Sequence, residues 1–489
     1  MNEIMNKVQL DGKLKGFQLR NQQIEAIDWI RESQNRFLFL NAPTGSGKSI
    51  IGLQAWNDEP IYYLCSSKIL QDQLKNDFDN VAILKGAGNY ECKEYGKKCN
   101  QCVWIARKKS RQCSDCRYVQ ALKKAQKSKI TILNYHVFLY LMNFTKNLRI
   151  RNVIVDEADS LESTIIDFLS FDISYDEFMK YRINPVAHVT KMEEFWEWEE
   201  SAIKTFKKHL EHLDDEKEYE KLELIVKKLS NIEDHRDYEH WFFRNDREKQ
   251  TMLIRPLWLT KELAEEIFYK FGKKFLFMSG TLPVSAVITK LLGVETDFDY
   301  FDVKSDFPVD FRKIYIVGKV DMSHKNLNDN LEILTDEIRK IIQEESHRAI
   351  RGLILVSSYK LLGLLKNVSE RIVDDFETFK RSKNGILISA ADWRGLDLKD
   401  DLCRFIIIPK IPFANLGDKM IATKMHSQGG WGQMWYTSEA ITRMVQGYGR
   451  GMRHKGDFCE TYIIDKAIST LIQKQIKLIP NYFLEACVF

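Results

Sequence analysis

The sequence predicts an α/β chain with two mainly parallel-sheet domains, the first interrupted by two insertions. Three observations lead to that fold class. Short apolar runs of strand type alternate with helix-type stretches in two blocks, the second restarting at residue 312. A glycine-rich turn joins the first strand run to the first helix run. Within the first block the pattern breaks twice, at a cysteine-crowded stretch and at a long charged one.

Residues 36–41, RFLFLN, are expected as a buried strand, and the apolar-periodic IIGLQAW at 50–56 as the helix after it. IYYLCS (61–66), KITIL (129–133), NVIV (152–155) and KFLFMS (274–279) continue the strand series. Between about 160 and 250 the stretch KMEEFWEWEESAIKTFKKHLEHL and its continuation place apolar residues three and four apart, as in a helical insertion. Phe195, Trp196 and Trp198 in it are expected to pack helices rather than stack on bases. KIYIVG, GLILVS, GILIS and RFIIIP supply the second set of strands. The expected divisions are 1–85, 130–160 and 250–300 for the first sheet domain and 86–129 for the cysteine-rich insertion. The helical insertion takes 161–249 and the second sheet domain 301–489.

At 489 residues the chain exceeds one compact core and suits two large domains plus insertions. Hydrophobic residues at 44% and charged residues at 29% leave no room for long disordered tails. No apolar run approaches a membrane span and the N-terminus lacks an apolar signal core, so a cytoplasmic protein without membrane partners is expected. With 73 basic against 69 acidic residues, a polyanionic partner must be argued from local patches. Cys65, Cys403, Cys459 and Cys487 sit in apolar surroundings and are expected as reduced core thiols.

Ala42 to Ser49, APTGSGKS, lies between the first strand and first helix, where a phosphate-binding loop belongs. Glycine at 45 and 47 lets N–H groups of Thr44, Gly45, Ser46 and Gly47 close on phosphate oxygens without an intervening Cβ. Lys48 is placed to reach the β- and γ-phosphates of ATP and Ser49 to offer its hydroxyl to Mg²⁺. NVIVDEAD then puts Asp156 and Glu157 at the end of an apolar strand, facing the ligand crevice of an open sheet. Asp156 is the expected Mg²⁺ partner and Glu157 the residue that orients and deprotonates the attacking water.

With these motifs in hand the chain resembles superfamily 2 helicases, and within them the XPD/DinG family of iron–sulfur helicases, over nearly its entire length. LRNQQIEAI is similar to the family's adenine-recognising segment, with Gln23 reading the base and Arg20 beside it. KGAGNYEC (85–92) and CRY with ILNYHVFL (132–139) resemble the segments flanking its cluster domain. SGTLP (279–283), GLILVSSY, ISAADWRGLDLKDD and IIIPKIPF resemble family motifs in the family's order. In QGYGRGMRHKGD (446–457), Gln446 is implied near the γ-phosphate. Arg450 and Arg453, on one face if the segment is helical, are implied as fingers on the transferring phosphoryl group, and Asp397 as a nucleotide contact. Asp159, Gly280 and Arg394 stand where the family often has histidine, alanine and glutamate.

Five thiols, Cys92, Cys99, Cys102, Cys113 and Cys116, crowd into 25 residues among Lys97, Lys98, Arg107, Lys108, Lys109, Arg111 and Arg117. Spacing alone reads as a site for zinc with sulfur ligands, the resemblance as a 4Fe-4S cluster, and soft thiolates accept either. The family pattern makes Cys92 and Cys116 the outer ligands; Cys102 and Cys113 are taken as the middle pair, with Cys99 as substitute.

The resemblance implies two RecA-like motor domains that close on ATP, a monomer moving 5′ to 3′ on single-stranded DNA, and unwinding of forked DNA or a DNA–RNA hybrid at an arch formed by the two insertions. Because the adenine segment begins by residue 17, no N-terminal nuclease domain is expected. The alternatives are a translocase that remodels without long unwinding, and a nucleic-acid-binding protein that uses ATP as a switch.

Overall fold

The computed structural model describes residues 7–489 apart from 44, 95, 102–114, 146–147, 187–188, 190, 238–240, 391–397, 399 and 453–455. The chain divides into two compact units. One comprises Met1–Phe39, Ser49–Phe277 and Thr289–Asp299, the other Leu40–Lys48, Met278–Ile288 and Tyr300–Phe489.

Among the described residues the first sheet has seven strands: β1 Phe37–Asn41, β2 Ile61–Cys65, β3 Val81–Leu84, β4 Ile130–Asn134, β5 Arg151–Asp156, β9 Gly272–Ser279 and β10 Phe298–Asp302. Their order is β10-β1-β9-β5-β2-β4-β3. Strand β2 runs parallel to both β4 and β5, and β3 parallel to β4. All five residues of β1 and of β2 are buried, which is why these strands read as unbroken apolar runs rather than alternating ones. The C-terminal ends of β1, β9 and β10 fall in the second unit, together with the phosphate-loop residues up to Lys48.

The second sheet also has seven strands: β11 Ile314–Val320, β12 Gly352–Leu355, β13 Ile372–Val373, β14 Ile386–Ser389, β15 Phe405–Ile408, β16 Glu460–Asp465 and β17 Cys487–Val488. In the order β13-β14-β12-β15-β16-β11-β17 every neighbouring pair is parallel. Ile338, Ile342, Leu361 and Leu365 from the covering helices pack with Ile354, Ile388, Phe405 and Ile407 from its strands. The α/β, parallel-sheet expectation is met in both blocks.

The insertion expected as helical is mixed. It holds two long helices, Met192–His212 and Glu216–Glu233, but also a three-stranded antiparallel sheet of β6 Phe171–Ser174, β7 Trp241–Asp246 and β8 Thr251–Pro256, ordered β6-β8-β7. The strands escaped the periodicity reading because they are short and flank long charged helices, and β8 ends beyond the expected boundary at 249. On β8 alternate residues are buried, the pattern of a sheet covered on one face. Phe195, Ala202, Ile203 and Phe206 form one helical stripe that packs with Leu222, Ile225, Val226 and Leu229. Phe195 is fully buried, Trp196 and Trp198 pack against the same core, and the Trp198 indole N–H donates to the Asn184 carbonyl. These aromatics are packing residues, as expected.

Candidate active site

In the first unit the site starts from β2 and β5. Tyr63 pairs with Ile154 in the parallel register, and Asp156, two residues further along β5, shares that face of the sheet. The Tyr63 hydroxyl lies 2.7 Å from Asp156 Oδ2 and 3.1 Å from Ser49 Oγ, so it spans the two residues expected to serve Mg²⁺. Burial, reinforced by the Asp156 charge, raises the Tyr63 hydroxyl well above the usual phenol range and keeps its proton in place. A second tyrosine, Tyr135, donates to the backbone carbonyl of Asp156. Asp156 is buried and its Oδ1 accepts from the Glu157 N–H at 3.1 Å.

Glu157 adopts φ 59° and ψ 47°, a left-handed conformation that costs a residue with a Cβ roughly 1–2 kcal/mol. Nothing in strand formation requires that turn. It changes the direction of the chain directly after Asp156, at the glutamate expected to handle the attacking water.

Gln23 is buried near the start of the helix Asn21–Glu32, where its Oε1 accepts from the Arg20 N–H at 3.0 Å and closes the N-terminal turn. The residue expected to read adenine therefore also caps its own helix.

In the second unit, Ala42 N–H donates to the Ser279 carbonyl at 2.9 Å, tying the phosphate loop to the SGTLP turn. Gly45 and Gly47 both have φ of +81°, backbone that a side chain would strain and from which N–H groups can converge on an anion. Ser46 is buried and Lys48 opens the helix Lys48–Ala55. Thr44 lies outside the described residues. Gln446, buried on the helix Gly430–Tyr448, donates from Nε2 to Thr281 Oγ1 at 3.2 Å, and the Tyr482 hydroxyl donates to the Gly280 carbonyl at 2.7 Å. Beneath them Arg312 is buried, donating to the Tyr448 hydroxyl and to the Phe307 and Tyr482 carbonyls.

The segment that carries the expected arginine pair leaves the helix before Arg450. The helix ends at Tyr448, a short 3-10 turn spans Gly449–Gly451, and Met452 is extended. Arg450 thus lies on that turn and not on the helix. A Cβ at Gly451 would stand 2.3 Å from Cys459 Sγ, so the turn packs tightly against Cys459. Arg450 is half-buried on the turn; Arg453 and Asp397 lie outside the described residues.

Near the cysteines, Cys99 N–H donates to the Tyr90 carbonyl and Cys92 N–H to the Lys97 carbonyl, folding 90–99 into a tight hairpin. Tyr90 and Tyr118 bring its two flanks together, with ring centroids 5.7 Å apart. Cys99 Sγ lies 3.9 Å from Cys116 Sγ. Burial raises the Cys99 thiol, with Cys116 and Cys92 adding to the effect. Cys102 and Cys113 lie outside the described residues, among which no group of three or more His, Cys, Asp or Glu side chains is arranged to hold a metal ion. Cys65 and Cys487, expected as core thiols, are pushed by burial to about 12 and about 11, with the Asp156 charge adding at Cys65.

Sequence reasoning missed Tyr63, Tyr482 and Arg312, and took in Tyr135 and Thr281 only as members of the ILNYHVFL and SGTLP motifs. One signal was present: a tyrosine in a strand that is buried throughout must find a partner for its hydroxyl.

Comparison with known proteins bears on the same segments. A family model described as the helicase C-terminal domain matches residues 333–483, and one described as type III restriction enzyme, res subunit, matches 16–186. The 3′-5′ exonuclease DinG of Staphylococcus epidermidis is 24% identical over 285 residues, 52% of this chain and 30% of that protein. The ATP-dependent DNA helicase CHL1 of Eremothecium gossypii is 24% identical over 295 residues, 51% of this chain and 36% of its own. The matches thus span about a third of the length of these relatives. Among solved structures, an XPD helicase superposes with a TM-score of 0.63 at 17% identity, covering 96% of this chain and 100% of that one. S. tokodaii Xpd4 superposes with a TM-score of 0.59 at 13% identity, covering 96% and 100%. No helix among the described residues is long and apolar enough to cross a membrane. In motif order, in sequence matches over part of its length and in the fold of its two parallel-sheet units, this chain is similar to the XPD/DinG-type superfamily 2 helicases.

Proposed function

We propose that the chain is a monomeric ATP-driven motor that moves 5′ to 3′ along single-stranded DNA and opens forked or duplex DNA, with DNA–RNA hybrids as a further substrate. The observation that carries the ATP chemistry is the Ser49–Tyr63–Asp156 chain of hydrogen bonds beside a strained Glu157. A hydroxyl and a carboxylate tied to one buried phenol form an oxygen donor set suited to Mg²⁺. When bound, Mg²⁺ neutralises charge on the β- and γ-phosphates. Lys48 and the N–H groups of residues 44–47 hold those phosphates, Glu157 takes the proton of the attacking water, and Gln23 reads the adenine. Gln446, Arg450 and Arg453 stabilise the transferring phosphoryl group, and Asp397 contacts the nucleotide.

The proposed metal cluster takes Cys92, Cys99 and Cys116, with Cys102 or Cys113 as the fourth ligand. The closeness of Cys99 to Cys116 supports this choice over setting Cys99 aside. An iron–sulfur cluster is preferred to zinc because the flanking segments resemble those of iron–sulfur helicases.

ATP hydrolysis with and without single-stranded DNA, on anaerobically purified protein, tests the reading. DNA-stimulated turnover that disappears in Lys48→Ala is expected, with visible iron–sulfur absorption. Turnover indifferent to DNA would leave an ATP-controlled switch, and a colourless zinc protein would replace the cluster while leaving the motor.

A further inference from the structure

We propose that Tyr63 is a positioning residue for the magnesium site, fixing the direction of the Ser49 hydroxyl. The inference rests on the ATP-hydrolysing reading above and adds a residue to it. A phenol has one proton and otherwise only lone pairs, and an ionised carboxylate can only accept. With its oxygen 2.7 Å from Asp156 Oδ2, Tyr63 spends its proton there. It can therefore meet Ser49, at 3.1 Å, only as an acceptor, so Ser49 must donate. A serine whose proton is committed on one side presents its lone pairs on the other, the orientation a hydroxyl needs to ligate a cation. The same contact fixes one oxygen of Asp156, and the Glu157 N–H fixes the other, so the carboxylate is held in one orientation.

The arrangement is built into the sheet rather than into a loop. Tyr63 is fully buried in the middle of β2, and the register that pairs it with Ile154 brings Asp156 onto its face. Its neighbour Tyr62 is equally buried in the same strand, but its hydroxyl donates to the Arg149 carbonyl at 2.8 Å. The two adjacent tyrosines thus provide a test and its internal control.

Tyr63→Phe keeps the ring and removes the hydroxyl. Binding of a fluorescent ATP analogue to the full chain, titrated with Mg²⁺, is expected to need roughly 10- to 100-fold more Mg²⁺ in this variant, the usual cost of removing a group that orients a metal ligand. Binding in EDTA should be unchanged, which shows that the fold and the phosphate loop are intact. Hydrolysis should fall at limiting Mg²⁺ and recover at saturating Mg²⁺. Tyr62→Phe should titrate as the parent protein does. A Tyr63→Phe protein with the parent's Mg²⁺ dependence, or a Tyr62→Phe protein with the same shift, overturns the positioning role and leaves the nucleotide site standing. A parent protein whose nucleotide binding ignores Mg²⁺ overturns this inference alone, and one that binds no ATP analogue with or without Mg²⁺ overturns the nucleotide reading and this inference with it.

Discussion

Two buried carboxylates in the first unit have opposite surroundings. Asp156, at the end of β5, is 5% exposed and has donors on both oxygens, from Tyr63 and from the Glu157 N–H. Glu199, in the stripe of the insertion helix Met192–His212, is 0% exposed, and neither of its oxygens has a hydrogen-bond partner. Burial pushes its carboxyl up to about 8, with Glu233, Glu200 and Asp234 adding and Arg236 opposing. The Arg236 guanidinium donates to Glu200 instead, at 3.0 Å. Burial by itself therefore does not fix whether a carboxylate carries its charge. Donors supplied by neighbouring elements do, because they compensate a charge that the interior otherwise rejects.

The same chemical change, acid to amide, should separate the two. Asp156→Asn removes a charge the proposed reaction uses and is expected to lower ATP turnover by about 10²- to 10³-fold, equivalent to several kcal/mol at the transition state. Its melting temperature should stay near the parent's. An Asp156→Asn protein that turns over ATP at the parent rate would remove the distinction drawn here.

Glu199→Gln should leave turnover within about twofold and instead stabilise the insertion, by roughly 2–4 °C for each kcal/mol recovered. The sign of its pH dependence follows from the raised carboxyl. Between the ordinary value of 4.5 and about 8 the unfolded chain has lost the Glu199 proton while the folded chain retains it. Stability then falls as pH rises through that window and levels off above it. Melting curves at pH 5, 6, 7 and 8 should lose this slope in the variant; an unchanged slope would mean that Glu199 is ionised and compensated in the folded protein.

The contrast between these regions also explains what the sequence could reveal. Strands such as β1, β2, β12 and β15 are buried along their whole length, so their apolar runs stood out without knowledge of their partners. The glycine loop at 42–49 and Asp156–Glu157 stood out because glycine, lysine and paired acids at those positions have a chemical reason. Tyr63 and Arg312 did not, since each matters through a partner far away in the chain: Asp156 and Tyr448. The insertion sheet was missed for a different reason: β6 pairs with β8 across the 76 residues between Ser174 and Thr251, and no local period records that pairing.

The smallest effect is expected in the second unit, where a buried charge is fully partnered yet lies outside the proposed chemistry. His347 is 1% exposed, stacks on Phe405 with centroids 4.4 Å apart, and places Nδ1 2.7 Å from the Ile341 carbonyl and Nε2 3.2 Å from Glu460 Oε2. Burial alone would lower its pKa, but the Glu460 and Ile341 hydrogen bonds and the Glu344 charge outweigh it and raise the imidazole above its ordinary 6.5. Glu460 moves the other way, below 4.5, through its hydrogen bond with His347 and then those from Tyr462 and Tyr315, against the cost of burial. The histidine contribution is complete below pH 6.5 and is lost as pH rises through the raised value; the glutamate contribution is present above pH 4.5 and is lost as pH falls through the lowered one. The pair should therefore stabilise the second unit most between those limits. His347→Phe keeps the stacking and removes the hydrogen bonds, so its melting temperature should drop by a few degrees at pH 5.5, in keeping with roughly 1 kcal/mol per hydrogen bond, and by less at pH 8.5. An equal loss at both pH values would show that His347 serves here as a neutral ring, and that donors from neighbouring elements do not suffice to hold a buried charge in this fold.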